Sequence, residues 1–298
     1  MVDDRVATES GGNPHAGYEA RETIQLVEFM NDADATVPAA IREAAPAIAE
    51  TIDAVVERLR SGGRLVYVGT GSSGRIAALD ASECEATFST APGLVVALVA
   101  GGETAPALVQ AGAEDDRAAG ERDVQSAGVG HADTVVGVSA SGSTPYVLGA
   151  LQAAAGAGAL TACIVSVAAS ELAAVSDYEI AVVVGPEFIA GSTRLKAGTA
   201  QKLVLNAIST ISMIRLGKTY GNLMVDVAPA NEKLRDRVRR IVGEATGASA
   251  DDVDAALVAA DGDTRVAIVS LLADVDAESA RARLDESGRS IGRALESR

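Results

Sequence analysis

Leu65-Val66-Tyr67-Val68-Gly69-Thr70-Gly71-Ser72-Ser73-Gly74-Arg75 runs from four apolar residues straight into glycines and hydroxyl side chains, then into a segment of helical composition. Four apolar residues without polar alternation read as a strand covered on both faces. A second unit of the same design lies downstream. The apolar run Thr134 to Val138 is followed by Ser139-Ala140-Ser141-Gly142-Ser143-Thr144-Pro145, again ahead of a helix. Glycine lets backbone come close to an anion, a helix N-terminus offers free N–H groups, and hydroxyls add donors. Either loop alone reads equally well as N-caps and turns. Two of them at the carboxyl ends of parallel strands point to a pocket for one phosphate. Neither is a P-loop, because the lysine is missing. A dinucleotide fingerprint is excluded too: the third glycine is misplaced, and Gly101-Gly102 stand where an acid is needed.

Outward from these loops, further buried strands are expected at Leu94 to Ala100, Leu160 to Val167 and Tyr178 to Val184. Helical segments separate most of them, which implies right-handed crossovers and a parallel sheet. The expected fold class is α/β, a parallel five-stranded sheet flanked by helices. Upstream, residues 18 to 31 read as one helix. Val37, Ile41, Ala45, Ile48, Ile52, Val55 and Leu59 read as a second, ended by Ser61-Gly62-Gly63. The first dozen residues read as loop. A long helix is expected from Leu195 to Leu216. Around Gly221 to Pro229 the composition changes, and no strand candidate follows Asn231. Gly247, the pair Ser249 and Asp252, Gly262 before Asp263, and Asp276 mark helix ends and starts. The domains are therefore expected at 1–228, the sheet domain with its N-terminal helices, and 229–298, a small helical bundle.

Of the 298 residues 48% are apolar but only 3% aromatic, so the core must be built from Ala, Val, Leu and Ile. A net charge of −16, with no basic cluster beyond Arg235 to Arg240, argues against nucleic acid as a partner. Lysine occurs only at Lys196, Lys202, Lys218 and Lys233. That fits a salt-rich cytoplasm and an arginine-favouring genome equally well. Cys84 and Cys163 have no metal-ligand spacing, and no metal or cofactor is called for. The start, MVDDRVATES, lacks a basic region before an apolar run, and no stretch is long enough to span a membrane. A soluble, cytoplasmic protein is expected.

The string GTGSSGRIAALDASECEATF, Gly69 to Phe88, resembles the signature of the N-acetylmuramic acid 6-phosphate etherases, a family with the sugar isomerase (SIS) fold. So do AGAEDD at 111–116, SASGSTPYV at 139–147, GPEFIAGSTRLKAGTAQK at 185–202 and NLMVDV at 222–227. The resemblance implies one SIS-type sheet domain, a small helical C-terminal domain and a homodimer. It implies a carbon–oxygen lyase that cleaves the lactyl ether of N-acetylmuramic acid 6-phosphate to N-acetylglucosamine 6-phosphate and D-lactate, by β-elimination and water addition. Glu83 would then be the proton donor and Glu114 the base, one for the departing lactate oxygen and one for the proton on carbon 2. Ser72, Ser73, Ser139, Ser141 and Thr144 would contact the phosphate, and Glu187 would line the pocket. Ser192 and Thr193 are either phosphate ligands or helix caps. Lys196 either lends charge to the pocket or is a surface lysine. Glu83, about nine residues into a helix, lies roughly 13 Å along its axis from the phosphate loop. It acts either in its own chain or across a dimer. Glu85, Asp115 and Asp116 read as surface acids, and His15 and His131 as non-catalytic.

Two departures stand out. Glu85 occupies a place where the family usually has Pro, and Ser143 one where Arg is common. An arginine there could pair with phosphate or with the lactyl carboxylate. Asn13-Pro14 matches a family N-terminal motif only in part. Two rival functions remain: an aldose–ketose isomerase on the same fold, and a non-catalytic sensor like the glucokinase regulatory protein. The latter carries two such sheet domains, where this chain has room for one.

Overall fold

The computed structural model describes residues 17–102, 112–226 and 232–296. Five parallel strands, β1 (Leu65–Gly69), β2 (Val95–Val99), β3 (Thr134–Val138), β4 (Leu160–Val165) and β5 (Tyr178–Ala181), form one sheet in the order β2-β1-β3-β4-β5. β1 and β3 are buried at every position, as strands covered on both faces must be. Val66, Val68, Val135, Cys163 and Val165 form one core with Tyr146, Val147 and Leu151 of a covering helix. The five strands expected from sequence are all present, and the sheet is parallel throughout.

The flanking helices are α1 (Thr23–Asp34), α2 (Val37–Glu43), α3 (Ala45–Arg60), α4 (Gly71–Phe88), α5 (Arg117–Ser126), α6 (Pro145–Gly156) and α7 (Lys196–Arg215). Two expectations need correction. The single helix over residues 18–31 is a 3₁₀ turn at Tyr18–Ala20 followed by α1. The break arises because Glu22 and Gln25 form a capping box that starts a new helix at Thr23. The helix expected from Val37 to Leu59 is divided at Ala44. Pro46, near the start of α3, has no N–H to continue the ladder of α2.

The chain divides into two compact units, one drawn from Met1–Ser82 and Gly93–Ser209, the other from Glu83–Pro92 and Thr210–Arg298. The sequence-based division at 228/229 follows the change of composition around Gly221 to Pro229, whereas the compact units also divide α4 and the end of α7. The second unit holds a small antiparallel hairpin, β6 (Thr219–Tyr220) with β7 (Leu223–Met224). Five helices follow: α8 (Glu232–Thr246), α9 (Ala250–Ala259), α10 (Thr264–Ala273), α11 (Ala277–Glu286) and α12 (Ile291–Glu296). Ser249, Asp263 and Asp276 each cap the helix that follows with a side-chain oxygen, so all three start signals are realised. Asp226 accepts from Lys218 and, at 2.5 Å, from Arg265, tying the segment after the hairpin to α10. Among the described residues no helix is long and apolar enough to cross a membrane.

One ion pair pins the sheet where β1 and β3 begin. Asp133 accepts from the backbone N of Arg64 at 2.8 Å, from its guanidinium at 2.8 and 3.2 Å, and from Gly130 N at 3.0 Å. Arg64 also donates to the carbonyls of Ala127 and Gly128. Burial by itself pushes the Asp133 carboxyl up, but the Arg64 and Gly130 donors hold it below the ordinary range. A depressed carboxylate stabilises the fold above its unfolded value of about 3.9, and the gain is lost as pH falls through the folded value. Asp133→Asn should therefore cost about 1–3 kcal/mol at neutral pH. Denaturant unfolding at a series of pH values should show the difference from the unaltered chain closing below about pH 3.9. A gap that stays constant with pH would remove the ionised pair from the account.

Candidate active site

β1 and β3 are neighbours, and their register pairs Gly69 with Val138. Thr70 and Ser139, the first residues beyond each strand, therefore leave the sheet side by side at one level. The first exit is tighter than its sequence suggests. A Cβ on Gly69 would lie 2.9 Å from the Cα of Gly74, and one on Gly74 would lie 2.8 Å from Gly69 O and 2.6 Å from Val99 Cγ1. Only glycine at both places lets the chain turn so sharply, so α4 starts at Gly71 and Gly74 N donates to Thr70 O at 3.0 Å. Ser72 and Ser73 accordingly sit in the first helical turn rather than in a loop, both half-buried. Arg75 donates to Ser72 Oγ at 3.4 Å.

The second exit is organised by hydroxyls. Ser139 is buried, and its Oγ accepts from Gly142 N at 3.2 Å. It also lies 2.8 Å from Thr144 Oγ1 and 3.3 Å from Ser141 Oγ. Thr144 occupies the N-cap position of α6 but makes no side-chain capping bond, so its hydroxyl serves the cluster instead. Ser141 is exposed and accepts from Ser143 N and Oγ. Ser143 thus closes the loop on itself. Gly142 has φ +69° and packs against Ser170.

Glu114 is exposed in a 3₁₀ turn at Ala113–Asp115, between Gly112 and Asp116. Asp116 caps α5 by accepting from Ala119 N at 2.9 Å, and that N–H holds its carboxyl below the ordinary range. Helices α5 and α6 touch backbone to backbone. A Cβ on Gly120 would lie 2.0 Å from Tyr146 O, and one on Gly149 would lie 2.1 Å from Arg117 O. Tyr146 donates to Asp123 at 2.6 Å across the same contact. The Glu114 turn itself packs against α6, the helix that begins at the second loop. The Glu114 turn and the helix that begins at the second loop, far apart in the chain, are thereby held together.

Glu83 is exposed on α4 and belongs to the second compact unit. Glu187 is only 2% exposed, and its two oxygens accept from Lys196 N at 2.9 Å and Ala197 N at 3.0 Å. It caps α7, the role considered for Ser192 and Thr193, both of which are half-buried. Lys196 is not a surface lysine. It is buried, and its Nζ donates to Val184 O at 2.6 Å. Burial lowers its pKa, opposed in part by the carboxylates of Glu187 and Asp34. Sequence reading missed Asp80. Buried on α4, it accepts from Tyr67 OH at 2.9 Å, Asn206 Nδ2 at 2.5 Å and Ser209 Oγ at 3.1 Å. The available signal was its place at helical spacing among Gly74, Ala77, Ala81 and Cys84, all of them buried. No group of three or more His, Cys, Asp or Glu among the described residues is placed to hold a metal ion.

Two family models match: the glucokinase regulatory protein N-terminal SIS domain over residues 47–155, and the SIS domain over residues 117–211. The N-acetylmuramic acid 6-phosphate etherase of Streptomyces coelicolor is 52% identical over 292 residues, covering 98% of this chain and 94% of its own. That of Rubrobacter xylanophilus is 53% identical over 286 residues, covering 95% of each. Among solved structures, a Bacteroides fragilis protein involved in capsule formation superposes with a TM-score of 0.50 at 19% identity. It covers 65% of this chain and 91% of that one, a likeness of fold alone.

The geometry of the second loop can be tested by stability. Gly142→Ala brings a Cβ to 2.4 Å from Ser170 Cβ at a positive φ, and should cost about 1–3 kcal/mol. Gly156→Ala, where nothing lies within 4 Å, should be neutral or stabilise α6 by about 0.5–1 kcal/mol. Thermal unfolding of both variants checks this; equal effects would show that the loop is not packed as described.

Proposed function

This chain belongs to the N-acetylmuramic acid 6-phosphate etherase family, and on that premise we propose how its residues cleave the lactyl ether. The reading rests most heavily on one observation: two hydroxyl-rich chain exits lie side by side at the ends of β1 and β3, each opening a helix. The substrate is a phosphosugar, and its 6-phosphate sits between them. It takes N–H groups from the first turns of α4 and α6 and hydroxyls from Ser72, Ser73, Ser139, Ser141 and Thr144. Ser192, just before α7, completes the substrate contacts. Glu187 and Lys196 act one step back, fixing the start of α7.

In the open-chain sugar the aldehyde at carbon 1 makes the proton on carbon 2 acidic. Glu114 takes that proton, and the electron pair moves onto the carbonyl oxygen. The pair returns to form the carbon 2–carbon 3 double bond and expels the ether oxygen from carbon 3. Glu83 protonates that oxygen, releasing D-lactate. Glu83, now ionised, takes a proton from water as its hydroxide adds to carbon 3, and Glu114 returns its proton to carbon 2. One water is consumed, and N-acetylglucosamine 6-phosphate leaves. Each proton that moves does so through one of the two carboxylates, as in general acid–base catalysis. The enzyme works in the cytoplasm as a homodimer, and neither nucleic acid nor membrane enters the scheme.

Purified protein given N-acetylmuramic acid 6-phosphate should release D-lactate. Failure to do so would sink the reading, and interconversion of aldose and ketose phosphates instead would favour an isomerase. Glu83→Gln and Glu114→Gln keep side-chain size but remove the proton, and each should lower turnover by about 10²–10⁴-fold with folding intact. Near-normal turnover in either variant takes that residue out of the mechanism.

Glu83 lies roughly 13 Å along α4 from Gly74, farther than one hexosamine phosphate spans easily. A partner subunit's copy of this side chain is the natural donor to the pocket. Mixing Glu83→Gln protein with Ser141→Ala/Thr144→Ala protein should restore activity once subunits exchange, because one of the two shared sites is then intact. Confirmed exchange without recovery would place Glu83 and the phosphate loops in one chain.

A further inference from the structure

We propose that Asp80 is a positioning residue for the ether-cleaving step, setting the rotation of α4 and so the direction in which Glu83 points. The proposal rests on the role given above to Glu83. The buried stripe of α4 consists of Gly74, Ala77, Asp80, Ala81, Cys84 and Phe88. Over the three turns before Glu83 that stripe offers no large apolar side chain. The stripe faces α7: Asp80 reaches Asn206 and Ser209, and Ile76, beside the stripe, extends to Gly198, where a Cβ would be 3.4 Å from its Cδ1. A stripe of small residues offers few knobs to lock into a neighbour's grooves, so apolar packing resists rolling only weakly.

Asp80 supplies the peg. Its carboxylate accepts from Tyr67 on β1, and from Asn206 and Ser209 on α7. Those donors reach it from two elements on different sides, so the side chain is held in direction as well as distance. Hydrogen bonds to a charged acceptor are stronger than neutral ones. Glu83 follows three residues later, a neighbour of Asp80 on the helix surface. A roll of about 20° about the axis moves a side-chain tip some 5–6 Å out by roughly 2 Å. Misplacing a reacting group by about 1 Å can cost on the order of 10²-fold in rate. The phosphate contacts suffer less, since the first turn of α4 is pinned separately by the Gly69–Gly74 contact.

The test separates proton abstraction from ether cleavage. In D₂O, deuterium entering carbon 2 of unreacted substrate reports Glu114, and lactate release reports the whole reaction. Asp80→Asn should lower lactate turnover by about 10–10²-fold while the Michaelis constant stays within about threefold and carbon 2 exchange persists. Its ratio of exchange to cleavage should shift in the same direction as that of Glu83→Gln. If Asp80→Asn does not fold, Tyr67→Phe and Ser209→Ala decide, each removing one donor and shifting the ratio less in the same direction. Exchange and cleavage falling together, or neither changing, in whichever variants fold overturns the proposal. Absence of lactate release by the unaltered enzyme is a different failure, visible before any variant is made: the functional reading falls and this inference with it.

Discussion

The pairing of β1 with β3 is the constraint on which the rest depends. Because these strands are neighbours and not merely members of one sheet, Gly69 and Val138 lie at the same level and both chain exits open onto one place. The strand order has its switch there: β2 lies on one side of β1, and β3 to β5 run away on the other. Such a point is where parallel α/β sheets bind ligands. The close contact of Gly69 with Gly74, and the positive φ at Gly142, are local costs of bringing two helix starts to that point. A chain of net charge −16 repels a phosphosugar at long range. The proposed site answers with N–H groups and hydroxyls, dipoles that act at contact distance and need no lysine.

Each carboxylate proposed for the chemistry is then reached by extending the same elements. Glu114, the proposed base, rides on a turn that packs against α6 and leads into α5, itself held to α6 at Gly120 and Gly149, so the helix proposed to receive phosphate steadies it. Glu83 lies farther along α4, the helix that starts at the other phosphate exit. Glu187 and Lys196 do the same service for α7. A carboxylate on two N–H groups fixes where that helix begins, and a buried ammonium ties it to the carbonyl of Val184.

Sequence made the strands and both exits legible because buried parallel strands read as uninterrupted apolar runs, and glycine-serine clusters interrupt them sharply. The C-terminal helix starts were legible for an equally local reason: Ser249, Asp263 and Asp276 cap with their own side chains. What escaped was tertiary. Pro46 was readable in itself, but apolar spacing continued through it and hid the break at Ala44. Lys196 reads in sequence as either a pocket charge or a surface lysine, and only the fold shows it buried beside Val184 and Glu187. Asp80 was one of 41 acids, and its partners lie 13, 126 and 129 residues away. The roles proposed for Glu83 and Glu114 rest on motif context, since nothing in the spacing of two exposed glutamates announces chemistry.

The most direct measurement is a crystal structure of the protein with its reaction product, N-acetylglucosamine 6-phosphate. The account predicts the phosphate between the exits of β1 and β3, within hydrogen-bonding distance of the first turn of α4 and of the Ser139–Thr144 cluster, with carbon 2 facing Glu114. A phosphate bound elsewhere, or held by one exit alone with the sugar turned away from Glu114, would contradict it.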